Sequence, residues 1–242
     1  RFPAAVDDAI AAFRWAVHHG ADQGLDPKRV AVGGDSSGGC LAAAVAQQVK
    51  AAQGGAPAFQ MLLYPTLDAH LSADSYKLFE DGFFLTYERI RDYRDMYLNN
   101  AAERDDVRAS PILNPDLAGL PPALIITAGF DPLRDEAESY GKALQSAGVN
   151  VGIVRFPAMV HGFMSMTAIL PQAEKAVRQA AEALSEHALR IPLFHPRPEI
   201  LDHLVGMQNV GADLMAPADI GLAVAGFLRR RLAFLQFQLI ES

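Results

Sequence analysis

Between the apolar run Val30-Ala31-Val32-Gly33-Gly34 and an alanine-rich helical pattern from Gly38 to Lys50, the chain has only Asp35, Ser36 and Ser37 in which to change direction. A short apolar run bounded by glycine reads as a buried strand, and the stretch after it reads as a helix. So abrupt a passage from strand to helix forces its middle residue, Ser36, into a strained backbone conformation and lifts the hydroxyl above the sheet. The segment Gly34-Asp35-Ser36-Ser37-Gly38 has the spacing G-x-S-x-G. Glycines two before and two after are expected because a Cβ there would collide within the turn. The new helix also aims its N-terminus at the serine, which favours negative charge developing there. Short glycine-serine patterns also occur as simple turns, so it is the placement between strand and helix that points to chemistry.

The rest of the first 190 residues repeats the alternation. Residues 4–19 form a helical pattern with Val6, Ile10, Phe13 and Val17 on one face, ending at Gly20. Met61-Leu62-Leu63-Tyr64, stopped by Pro65, predicts a strand, as do Ala123 to Ala128 and Asn150 to Phe156. Helices are predicted over about 135–147, ending at Gly148, and 172–189. Residues 72–108 are rich in charge and in aromatics (among them Tyr76, Phe79, Phe83, Phe84 and Tyr87) and read as helices and loops lying over the sheet. This alternation predicts an α/β fold: a mostly parallel sheet with helices on both faces. Residues 1–190 form the main domain, with 72–108 an insertion. From Ile191 the prolines at 192, 196 and 198 suggest a linker. Residues 199–242 then suggest a short helical C-terminal extension with an apolar stretch near 220–228, whose role the sequence leaves open. It could pack on the domain, join copies or lie on a membrane surface.

Composition narrows the partners. The formal charge of −7 lacks the basic surplus that nucleic acid or an anionic membrane attracts, so neither is expected as a partner. The single cysteine, Cys40, cannot form an intrachain disulfide and is expected to be a small buried residue. Nothing has metal-ligand spacing. No run reaches the ~18 apolar residues of a membrane-spanning helix, and no signal segment opens the sequence, so a cytoplasmic location is expected. Residue 1 is arginine, which suggests that the sequence begins inside a longer reading frame. A homo-oligomer is possible.

A serine attacks only when a base takes its proton and a carboxylate orients that base. On such a sheet the partners should follow in the order serine, acid, histidine, each just beyond a strand. Asp131 follows the strand ending near Ala128, and His161 follows the one ending near Phe156. Asp135 competes with Asp131 but falls at the start of the next helix, where acidic residues are common. His18, His19 and His187 sit on helical stretches and are expected to be solvated. His70 lies too early, and His195 and His203 belong to the extension. Trp15 is expected to serve packing.

Phe2-Pro3-Ala4-Ala5-Val6-Asp7-Asp8, Gly34-Asp35-Ser36-Ser37-Gly38-Gly39, Asp131-Pro132-Leu133-Arg134-Asp135-Glu136 and His161-Gly162-Phe163 together resemble the hormone-sensitive-lipase-like (family IV) esterases, in order and over residues 1–190. The resemblance implies the α/β-hydrolase fold, here without its N-terminal strands. It also implies Ser36, Asp131 and His161 as a catalytic triad, hydrolysis of short- to medium-chain carboxylic esters, and no cofactor. Residues 72–108 would help to cap the acyl pocket. In that family a His-Gly-Gly-Gly segment supplies most of the oxyanion hole; it would lie upstream of Arg1, and here the N–H of Ser37 is the available donor. Losing one such donor costs about 10²–10³ in rate. Two other readings follow from the same residues: a serine peptidase or amidase on this fold, and a hydrolase-like binding module.

Overall fold

The computed structural model describes residues 1–52 and 55–189, together with 223–224 and 234–236. In chain order the elements are α1 (Ala4–His19), β1 (Ala31–Asp35), α2 (Ser37–Ala51), β2 (Gln60–Leu63), α3 (Ser75–Leu78), α4 (Tyr87–Tyr97), β3 (Ala123–Phe130), α5 (Arg134–Ser146), β4 (Val151–Val160), α6 (Pro171–Leu184), β5 (Ala223–Val224) and β6 (Phe234–Gln236). Strands β1 to β4 lie side by side and parallel, in the sheet order β4-β3-β2-β1-β6-β5. Strand side chains alternate between the two faces, and both faces are covered. Val32, Leu62 and Ile125 enter one core with residues of α1, α2 and α5, while Ala31, Met61, Leu124 and Ile126 enter a second core beneath α6. This is the α/β architecture expected from the alternation.

Helix α2 lies deepest. The run Ala42 to Ala46 is fully buried, so small side chains bring this helix close to both the sheet and α1. On α1 the buried stripe is Val6, Ala9, Phe13 and Ala16. Trp15, expected to pack, lies off that stripe and is 47% exposed. Strand β4 continues to Val160 through Pro157, where a sequence reading stops at Phe156. A register shift between Ala128 and Phe130 absorbs the irregularity. There Gly129 approaches the carbonyl of Pro157 so closely that a Cβ would lie 1.9 Å from the oxygen.

The expected helical extension is corrected where it can be seen. Ala223–Val224 and Phe234–Gln236 are strands. β6 runs parallel along the outer edge of β1, with Ala31 opposite Phe234, and β5 pairs antiparallel with β6. An open strand edge presents unpaired N–H and C=O groups that draw in a further strand, and short apolar runs satisfy either periodicity. The expected linker and the rest of 190–242 lie outside the described residues. Among the described residues, no helix is long and apolar enough to cross a membrane.

Residues 72–108 contain α3, α4 and a 3-10 turn, Ala101–Asp105. Thr86 caps α4 by accepting from the N–H of Arg89. Leu71, Tyr76 and Ile90 pack with Leu133 as a third apolar cluster, which joins this insertion to the start of α5. Beside it lies the carboxyl of Glu136, 2% exposed. Its two oxygens accept from the N–H of Leu67 (2.6 Å) and the hydroxyl of Tyr76 (2.7 Å). Burial raises its pKa to about 8, against the opposing pull of those two hydrogen bonds; the nearby Asp68 charge adds to the rise.

The unfolded carboxyl ionises near 4.5 and the folded one near 8, so between these values the folded state holds the extra proton. Stability contributed by neutral Glu136 is therefore complete below pH 4.5 and is lost as pH rises through 8. Melting temperature should fall for the wild type across this window and fall less steeply for Glu136→Gln. Parallel curves for the two proteins would show that Glu136 is not the group responsible.

Candidate active site

At the end of β1 the backbone turns into α2 through Ser36, whose φ of 53° and ψ of −120° are strained for a residue with a side chain. Its N–H donates to Leu63 O (2.9 Å), and its carbonyl accepts from Gly39, Cys40 and Thr66. A Cβ on Gly34 would lie 2.4 Å from the backbone of Gly38, so the first glycine of the motif is required by contact with the last. Gly39 is equally constrained: a Cβ there would meet Pro65 Cβ at 2.6 Å. Because α2 begins at Ser37, and Gly39 and Cys40 already donate to Ser36 O, it is the N–H groups of Ser37 and Gly38 that have no partner further back in the helix.

Asp131 directly follows β3 and His161 directly follows β4, each closer to its strand than the sequence suggested. Asp131 is fully buried and His161 is 8% exposed. His161 Nδ1 lies 2.9 Å from Asp131 Oδ2, and His161 Nε2 lies 2.9 Å from Ser36 Oγ. An ionised carboxylate can only accept, so Nδ1 carries the hydrogen and Nε2 is left to accept from the serine hydroxyl. The other Asp131 oxygen accepts from the N–H of Leu133 at 2.9 Å. After His161 the chain reverses at Gly162, whose φ of 72° suits glycine.

Asp135 does not join this group. It lies in the first turn of α5 and its carboxylate accepts from Arg134 Nε at 2.7 Å. His70 pairs with Asp105 at the surface, 2.9 Å away. His187, expected to be solvated, is half-buried, stacks on Phe59 with centroids 4.6 Å apart and donates from Nδ1 to Ala183 O. His195 and His203 lie outside the described residues. Cys40 is buried, its thiol pushed up to about 12 by burial and directed at Ala109 O, 3.7 Å away. Among the described residues, no group of three or more His, Cys, Asp or Glu side chains is placed to hold a metal ion.

Tyr64 was missed as a site residue. It stands at the end of β2 with φ at 35°, and its ring meets the His161 ring edge-on, 4.9 Å between centroids. Burial, then the charges of Asp35 and Asp131, push its phenol well above the ordinary range. Its one sequence signal is position, at the carboxyl end of a parallel strand, where ligand sites gather. Next to Asp131, Phe130 is 40% exposed and stacks on Phe83 (5.3 Å), and Phe79 meets both edge-on. Phe84 is 73% exposed, and one of its ring atoms lies 3.9 Å from where a Cβ on Gly162 would sit.

A sequence family described as alpha/beta hydrolase fold matches residues 1–165. A carboxylic ester hydrolase, LipN, of Mycobacterium tuberculosis is 43% identical over 195 residues, covering 78% of this chain and 52% of that protein. An ethyl acetate hydrolase of Pseudomonas putida is 37% identical over 188 residues, covering 77% and 59%. Among solved structures, a thermostable esterase from Pseudomonas putida superposes with a TM-score of 0.75 at 42% identity, covering 78% of this chain and 60% of that one. EstE1, a thermostable carboxylesterase from a metagenomic library, gives 0.74 at 37% identity, covering 78% and 65%. The chain thus spans between about half and two thirds of the length of these relatives.

The contact between Gly34 and Gly38 yields a direct test. Gly34→Ala should lower folding stability by about 3 kcal/mol or more, at or beyond the upper end of overpacking costs, because the obstacle is backbone. A urea midpoint equal to that of the wild type would show that the turn has room to spare.

Proposed function

Since the chain belongs to the alpha/beta hydrolase family, we propose that it hydrolyses carboxylic esters with Ser36 as nucleophile, His161 as general base and acid, and Asp131 as the orienting carboxylate. The observation that carries this reading is the unbroken relay from Asp131 Oδ2 through the imidazole to Ser36 Oγ, 2.9 Å at each step. Ser36 Oγ attacks the ester carbonyl carbon while Nε2 takes the hydroxyl proton. Asp131 keeps the hydrogen on Nδ1 and stabilises the imidazolium. The carbonyl electrons move to the oxygen, which the N–H of Ser37 at the start of α2 would receive. As the tetrahedral adduct collapses, the imidazolium protonates the departing alcohol. Water, deprotonated by the same imidazole, then attacks the acyl-enzyme; His161 returns the proton to Ser36 as the acid leaves.

Two features favour a short or medium acyl chain. Phe79, Phe83 and Phe130 form a compact aromatic group beside Asp131, which would bound an acyl pocket beneath the insertion at 72–108. One relative carries the name ethyl acetate hydrolase, a reaction on a two-carbon acyl group. Aromatic walls of this kind reward an acyl tail by contact area and limit its length by shape.

Assay against p-nitrophenyl butyrate and against a peptide anilide separates ester from amide hydrolysis; turnover of the first alone is expected. Ser36→Ala should remove that turnover, and Asp131→Asn should reduce kcat by about 10⁴ through the wrong imidazole tautomer. Full activity in Ser36→Ala would refute the assignment.

A further inference from the structure

Behind the relay, the base of the 72–108 insertion is fastened to the loop that carries Asp131 at two buried points. Ser75 Oγ donates to Pro132 O at 2.6 Å and accepts from the N–H of Asp135 at 3.2 Å. Tyr76 donates its hydroxyl to Glu136 Oε2, while Glu136 Oε1 accepts from the N–H of Leu67 on the loop leaving β2. Leu67, Ser75 and Tyr76 are each 1% exposed or less. The loop leaving β2 and α3 therefore meet on one carboxyl, 69 and 60 residues further along the chain. An apolar side chain could fill that space but would leave a buried N–H and a buried O–H without partners.

We infer that Glu136 is a positioning residue: it locks the first turn of α5 against α3 and the β2 exit loop, and so holds Asp131 on His161. The path is short. Leu133 opens that turn, its carbonyl accepting from Ala137 at 3.2 Å, and its side chain packs in the cluster that contains Tyr76. The N–H of Leu133 grips one oxygen of Asp131 while His161 takes the other. Displacement of this turn shifts the Leu133 N–H and turns the carboxylate away from Nδ1. Glu136 itself touches neither the imidazole nor the serine hydroxyl through any of these bonds. This inference rests on the triad reading above.

The test uses the full chain with three substitutions and two readouts. A fluorophosphonate probe reports Ser36 reactivity, and the far-downfield NMR resonance of the His161 Nδ1 proton reports its bond to Asp131. Glu136→Leu should slow labelling by about ten- to a hundredfold, the scale of a small misplacement, lower kcat with KM little changed, and weaken the downfield resonance. Glu136→Gln, which can still accept from Leu67 and bond to Tyr76, should label within about threefold of wild type, well inside the tenfold of a 1.36 kcal/mol change. Tyr76→Phe, which removes only the hydroxyl, should shift both readouts in the direction of Glu136→Leu. A folded Glu136→Leu protein with wild-type labelling and resonance overturns the inference. If that variant does not fold, unchanged readouts in Tyr76→Phe overturn it instead. Should wild-type Ser36 resist the probe, the triad reading fails, and the resonance still reports whether Glu136 holds Asp131.

Discussion

The backbone at Ser36 is held where a residue with a side chain does not rest unaided; such a conformation costs on the order of 1–3 kcal/mol. Four hydrogen bonds to its own N–H and carbonyl, from β2, the first turn of α2 and Thr66, fix it there. Gly34 and Gly39 permit the approach of Gly38 and Pro65 that makes those bonds reachable. The direction of α2 follows from this turn, and α1 packs on the alanine face of α2. The strain thus sits at the junction of the strand, the helix and the layer above it.

Asp131 presents the opposite problem, since a carboxylate removed from water must be compensated by partners. His161 and the N–H of Leu133 take its two oxygens. Both partners are themselves buried, so the acid is oriented by packed groups and not by solvent. The same economy of partners recurs at Glu136, whose oxygens are shared between Leu67 and Tyr76.

Much of this arrangement was legible in the sequence because it depends on local pattern. The turn at Ser36 is written in glycines two residues away on each side, and the sheet in apolar runs separated by helical stretches. Asp131 and His161 could be placed because each follows a strand. What escaped notice depends on contacts between distant segments. Pro157 suggests that a strand has ended, yet β4 continues because Gly129 makes room opposite it. Glu136 stands in an acidic run that looks like the solvated start of a helix, and only the fold shows its carboxyl to be enclosed. Trp15 looks like core but falls off the buried stripe of α1. The strand at 234–236 depends on an edge of β1 that no local pattern announces, and the one at 223–224 depends in turn on 234–236.

The position of Tyr64 has a geometric consequence for the whole rim. Neighbouring strands stand about 4.8 Å apart, so β1 and β4, with β2 and β3 between them, are separated by roughly 14 Å. His161 leaves the far strand and still reaches the hydroxyl at the end of the near one. Tyr64, rising from β2 inside that span, meets the imidazole partway across. The base thus meets its serine across three strand spacings, with an aromatic ring in the gap.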